Sequence, residues 1–231
     1  MSERDARPEA ARAGLWSRRE MLSRGTALGV VITIPAAGTA TMESAMAAVA
    51  PKAKAALAAD QSAVLRALVA RLIPADANGP SAADAGAADY IERSLSGGLA
   101  GGLKQVAGLY TANLPAVDAY ANSKYGAGFT SLSPDQQDAV VGDIEAGKAT
   151  GFVPSSDVFF QLLREHTLQG MFGDPIYGGN KSFAGWDLLG YPGVRMPVPA
   201  GYQKLNVKVK PAHKSTYADG QFPKARKEAQ A

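Results

Sequence analysis

From Asp60 to Met171 apolar residues recur every three or four positions, the spacing that gathers them on one face of an α-helix. Asp60 reads as an N-cap, and Val64, Leu65, Leu68, Val69, Leu72 and Ile73 form a first stripe that Pro74 ends. Ser81 followed by Asp84 has the form of a capping box, ahead of a second stripe of Ala87, Tyr90, Ile91 and Leu95. Gly97-Gly98 breaks it. Leu99, Leu103, Val106, Tyr110 and Leu114 make a third, with Pro115 predicting a kink or a break before Val117 and Tyr120. Ser133-Pro134-Asp135-Gln136 supplies a cap, a proline at the first helical position and a glutamine at the third, so a fourth helix starts there and runs toward Gly147. Ser156 or Asp157 caps a fifth and last helix, whose apolar side is Phe159, Phe160, Leu162, Leu163, Thr167 and Met171. The pattern predicts a mainly α protein.

The pattern then changes. Eight glycines lie from Gly170 to Gly201, with Pro175, Pro192, Pro197 and Pro199 among them, which forbids regular structure over most of the stretch. The same stretch carries Phe172, Tyr177, Phe183, Trp186 and Tyr191, so it must pack on its own domain or on a partner. Beyond it, residues 205–210 alternate like a strand. A lone strand needs a partner edge. It could join another subunit's sheet, or lie extended along its own domain.

The N-terminus has the layout of an export signal. Ser17-Arg18-Arg19-Glu20-Met21-Leu22 precedes a moderately apolar run, Ala27–Ile34, ended by Pro35 and followed by small residues. Arg18 and Arg19 resemble the pair of a twin-arginine (Tat) signal, which addresses already folded proteins to the Tat translocon. Cleavage after Ala47 is preferred, because the other small-x-small site would leave Pro51 just beyond the cut. The apolar run falls short of the roughly 20 residues a membrane span requires, so no span is expected in the mature chain. Three regions follow: a signal peptide over 1–47, a helical domain over 48–201 and a basic extended tail over 202–231.

Composition narrows the chemistry. The 231 residues include no cysteine, which excludes disulfides, thiolate metal sites, iron–sulfur clusters and covalent c-type haem. Two histidines, His166 and His213, are too few for a multi-histidine metal site. No Gly-x-Gly-x-x-Gly follows a strand and no Gly-x-Ser-x-Gly presents a serine. The net charge of +3 is uneven, with seven basic and two acidic residues in the tail alone. That tail suits solvent, anionic lipid or an acidic partner. Nucleic acid is not expected, since the tail has few aromatics for stacking.

The most specific stretch is the run His166-Thr167, Gly170-Met171-Phe172, Asp174-Pro175, Tyr177-Gly178-Gly179-Asn180, Gly185-Trp186 and Leu189-Gly190-Tyr191-Pro192-Gly193. It resembles the C-terminal signature of the gluconate 2-dehydrogenase subunit 3 family, and Leu72-Ile73-Pro74-Ala75-Asp76 and Tyr90-Ile91-Glu92 resemble that family's N-terminal half. The resemblance covers roughly residues 57–195. It implies a small subunit, not catalytic alone, of a periplasmic or membrane-bound sugar or sugar-acid dehydrogenase. In such complexes a large subunit of the glucose-methanol-choline (GMC) type holds FAD and oxidises the substrate, and a multi-haem cytochrome c passes electrons on. The small subunit would help the flavoprotein mature and carry it through the Tat route. No cofactor or metal is then expected in this chain, and the choice of sugar lies in the partner's pocket.

Individual residues keep two readings. His166, beside Glu165 and eight positions before Asp174, could be a general base, or could bond a neighbouring group structurally. Asp174-Pro175 and Gly178-Gly179-Asn180 set turns, with Asn180 tolerating left-handed backbone, or they contact a partner. Phe172, Tyr177, Asn180, Trp186 and Tyr191 form a candidate partner interface, with Trp186 as easily part of the domain's own core. A stand-alone periplasmic binding or structural protein is the alternative to the subunit reading.

Overall fold

The computed structural model describes residues 57–97, 103–195, 198, 200–204, 207 and 209–216; the twin-arginine segment with Arg18 and Arg19 lies outside them. Six α-helices follow in order: α1 (Ala59–Leu72), α2 (Ala87–Leu95), α3 (Ala107–Tyr125), α4 (Pro134–Glu145), α5 (Ser156–Phe172) and the short α6 (Ala184–Leu189). No strand occurs among the described residues. Helix α1 is the hub. It packs against α2, α3, α4 and α5, with Leu65 and Val69 fully buried and Val64, Leu68 and Leu72 nearly so. Helices α2 and α5 make the most extensive contact of any pair, and Gly170 is what permits it. A methyl group at Gly170 would sit 2.8 Å from the Cα of Ala87, inside van der Waals contact.

Three helix ends differ from the reading by pattern. Asp60 is not the cap of α1 but lies in its first turn, where the carboxylate favours the positive helix end. The cap position is Ala58, whose N–H donates to Oε1 of Gln61 at 3.1 Å. Ser156 is buried inside the first turn of α5, and Ser155 occupies the cap position. The helix does not stop at Pro115, since α3 runs unbroken through it. A proline there has no N–H to give to the carbonyl four residues back, at Thr111. Gln61 of α1 supplies the missing donor, its Nε2 reaching the Thr111 oxygen at 3.1 Å. One glutamine side chain therefore caps α1 and completes the ladder of α3.

Replacing Gln61 by alanine is expected to cost about 1–3 kcal/mol, read as a lower denaturant midpoint, because the part-buried Thr111 carbonyl loses the donor that stands in for Pro115. An unchanged midpoint would mean that water satisfies the Thr111 carbonyl.

Other ends follow the sequence closely. Ser133 and Gln136 exchange bonds as a capping box, at 3.4 Å into the serine Oγ and 3.0 Å into the glutamine Oε1. Ser81 and Asp84 do the same around a single turn, after which Gly86, at φ +80°, redirects the chain into α2. Arg71 of α1 clamps Asp138 of α4 with two nearly parallel bonds of 2.6 and 2.5 Å, a geometry that fixes the two helices in register.

Candidate functional site

The glycine- and aromatic-rich segment is built onto the C-terminal end of α5. A helix leaves its last four carbonyls without intrahelical donors. Here the following segment folds back and supplies donors to three of them. The Gly173 N–H donates to Gln169 O at 2.8 Å, the Asn180 N–H to Gly170 O at 2.8 Å, and Trp186 Nε1 to Phe172 O at 2.9 Å. Asn180 Nδ2 reaches Gly173 O at 2.8 Å, and Asn180 Oδ1 accepts from the Gly185 N–H at 2.8 Å. Asn180 is fully buried and left-handed, at φ 45° and ψ 45°, as its short amide side chain allows.

Two glycines are required by the same approach. A methyl group at Gly179 would lie 2.0 Å from Gly170 O, and one at Gly185 would lie 2.0 Å from Met171 O. These glycines are sites of backbone contact. Asp174 completes the turn, its Oδ1 accepting from the Ile176 N–H at 2.9 Å. The breakers do not exclude all regular structure, since α6 spans Ala184–Leu189 within them.

Residues 210–216 return along this segment. Ala212 N–H donates to Pro192 O at 3.0 Å, and Val194 N–H to Lys214 O at 2.9 Å. Arg195 Nη2 donates to Lys210 O at 2.7 Å. Thr216 gives both its N–H (2.8 Å) and its hydroxyl (2.6 Å) to Asp174 Oδ2. His213, at φ 45°, stacks parallel on Phe183 with centroids 4.9 Å apart and meets Asp187 Oδ1 through Nε2 at 2.7 Å. Leu205, Asn206 and Lys208 of the alternating run lie outside the described residues.

The five interface candidates fall into two groups. Asn180 is fully buried and Trp186 is 5% exposed, both bonded to the end of α5, and Phe172 packs partly buried against the core. Tyr177 and Tyr191 are exposed, Tyr191 standing edge-on to Trp186 at 4.7 Å. The segment therefore has an inner set that builds it and an outer set that solvent or another protein can reach.

His166 does not assemble with Asp174. Its Nδ1 meets the Tyr110 hydroxyl of α3 at 2.8 Å, and no hydrogen bond joins it to Asp174 or Glu165. Burial holds the imidazole pKa down to about 4 and raises that of the Tyr110 phenol well above its usual range. Between pH 6.5 and about 4 the unfolded chain binds a proton that the folded chain refuses. Stability is thus expected to fall as pH drops through that window, by up to about 3 kcal/mol below it. Urea midpoints at pH 7 and pH 4.5 measure this, and His166→Gln should lose much less than the wild type over the same interval.

Pattern reading passed over Gln61, Asn113, Thr216 and His213, all of which hold one segment to another. Asn113 left a trace, a polar residue one position before Leu114 within the buried stripe of α3. Among the described residues, no cluster of three or more His, Asp or Glu side chains could hold a metal ion, and no helix is long and apolar enough to cross a membrane.

Fold and segment together define a small helical scaffold whose C-terminal segment is bonded through Asn180 and Trp186 to the backbone at the end of α5. The chain belongs to the family described as gluconate 2-dehydrogenase subunit 3, which matches over residues 59–193, within two residues at each end of the stretch whose motifs resemble it. It is a gluconate 2-dehydrogenase subunit 3-like accessory subunit. No curated protein and no solved structure matches the chain.

Proposed function

We propose that this chain is the non-catalytic small subunit of an FAD-dependent, GMC-type dehydrogenase of a sugar or sugar acid, working in the periplasm beside a cytochrome c subunit. It assists maturation of the flavoprotein and carries it through the twin-arginine translocon. The family match over 59–193 carries this reading, because the family is itself defined as a dehydrogenase subunit. Arg18 and Arg19 ahead of the Ala27–Ile34 run support the export role. A folded-protein export route suits a partner whose flavin is loaded before it leaves the cytoplasm.

The test is co-expression of the full chain with the large flavoprotein subunit. The reading expects a complex in the periplasmic fraction that carries flavin absorbance and reduces an artificial acceptor, whereas the small subunit alone does neither. Changing Arg18 and Arg19 to lysine should leave both proteins in the cytoplasm. Normal export of the flavoprotein with the lysine variant would remove the carrier role.

A further inference from the structure

Residues 209–216 form a strap that lies on the signature segment outside the hydrophobic core. Among the described residues that core and the side chains packed on it end at Leu188. Of the strap only Ser215 is buried; Lys210, Pro211, Ala212 and His213 are exposed, and Val209 is half-buried. What holds the strap is polar. The Ala212 N–H donates to Pro192 O and the Val194 N–H to Lys214 O, and Thr216 gives two bonds to Asp174. His213 lies on the Phe183 ring with its Nε2 on Asp187. Polar contacts near the surface are readily exchanged for water, so each adds little to stability.

The closed contact also holds unfavourable features. His213 and Phe183, whose rings stack, both have left-handed backbone, at φ 45° and φ 62°, a conformation that costs a residue with a Cβ. Ser215 Oγ and Arg195 Nε are buried with no hydrogen-bond partner among the described residues. An unmet polar group is expensive to bury, and water would meet both groups once the strap lifted. Gly193 sets the limit of approach. A methyl group there would lie 3.2 Å from Lys214 O, and φ +87° disfavours any side chain.

We infer that residues 209–216 are a latch: a unit that opens by itself while the helices and the Asn180 cap stay folded, and that when closed engages the Phe183 ring and the carboxylates of Asp174 and Asp187. The strain and the unmet groups belong to the closed form, and few apolar contacts oppose release. Segments with that balance open separately from the core. The inner bonds do not need the strap, since Asn180 joins Gly173 to Gly185 and Trp186 holds Phe172 from within the segment itself. Opening frees the ring face that His213 stacks on and the carboxylate oxygens that Thr216 and His213 occupy. The latch is thus an internal cover over part of the signature segment.

The experiment is residue-resolved hydrogen exchange of the full chain in rising urea, below the unfolding transition. The Val194, Ala212 and Thr216 amides should exchange together, at least about a hundredfold faster than the Leu68 amide inside α1, with rates nearly independent of urea. Two variants should move them in opposite directions. Gly193→Ala, which crowds the closed form, should speed all three by about tenfold. Ser215→Ala, which deletes the unmet hydroxyl, should slow all three by about fivefold. The Leu68 and Gly185 amides should keep their wild-type rates in both. If Gly193→Ala does not fold, the wild-type rates and Ser215→Ala decide alone. Strap amides as slow as Leu68, with the same urea dependence, would overturn the latch by making the strap part of the global unit. Three unrelated rates that the variants fail to shift together would overturn it as a single unit. Faster exchange in Ser215→Ala would show that the hydroxyl is bonded in the closed form and would remove the defect that favours opening.

Discussion

Asn180→Ala is expected to remove about 4 kcal/mol of stability and to release residues 174–216 from the end of α5. Two bonds made by the amide disappear, leaving the Gly173 carbonyl and the buried Gly185 N–H without these partners. An unmet buried group costs about 1–3 kcal/mol, and alanine in left-handed backbone adds about 1–2 more. Global stabilities of about 5–15 kcal/mol make such a loss severe. Asn180→Gly separates the two causes, because glycine accepts φ 45° freely but makes neither bond. It should recover the backbone part and nothing else. Asn180→Asp keeps an acceptor for Gly185 but turns a carboxylate toward the Gly173 carbonyl, so it should be no better than alanine. Hydrogen exchange at the Gly185 and Trp186 amides reports the release directly. Wild-type protection in the alanine variant would show that the cap is held by Trp186 and the close glycine contacts instead.

This dependence explains why sequence alone showed the segment's importance without its role. Gly179, Gly185, Trp186 and Asn180 are unusual choices, and unusual choices are visible in a sequence. Their partners are carbonyl oxygens of α5, and carbonyls carry no sequence label. Interface and self-packing therefore remained equal readings for Trp186, while the structure puts its ring against Phe183 and its Nε1 on Phe172. The helices were more legible, because a 3.6-residue period is a property of the chain itself. Ser133-Pro134-Asp135-Gln136 named its own cap. That the helix continues through Pro115 was hidden for the converse reason: the missing donor is replaced from Gln61, more than fifty residues away in another helix. Tertiary replacement of a local deficit leaves nothing in the local pattern.

The outer residues follow the same logic from the other side. Tyr177 and Tyr191 could not be separated from Trp186 by residue type, since all three suit an interface. Exposure separates them, and exposure depends on how 210–216 returns along 174–195. That return is held by Asp174 with Thr216 and by Asp187 with His213, pairs 42 and 26 positions apart. Neither pairing has a spacing that sequence reading recognises.

Asn113→Ala should cost about 2–5 kcal/mol, although both of its amide hydrogen bonds go to Val153, outside the signature residues. Fully buried in α3, Asn113 presents its amide to the backbone of Val153 as a neighbouring strand would, with Nδ2 on the carbonyl at 2.7 Å and Oδ1 under the N–H at 2.8 Å. This double bond pair anchors the connection between α4 and α5 and keeps Phe152 against Phe159 in the core. Truncation leaves both Val153 groups unmet and opens a small void, the combination that makes buried polar substitutions expensive. Asn113→Leu fills the volume and still strands both groups, so it should recover only the void. Asn113→Asp supplies the decisive comparison. A buried aspartate pays for its charge and has its pKa raised, so the folded state binds the proton more readily than the unfolded state does. Protonated, it can donate to the Val153 carbonyl and accept from the N–H, restoring the clamp. The gap between Asn113→Asp and wild type should therefore be widest at pH 7 and narrow as pH falls toward 4, opposite in sign to the His166 effect that both proteins share. A gap independent of pH, or an alanine variant with the wild-type urea midpoint, would show that Val153 is held by packing and not by the amide.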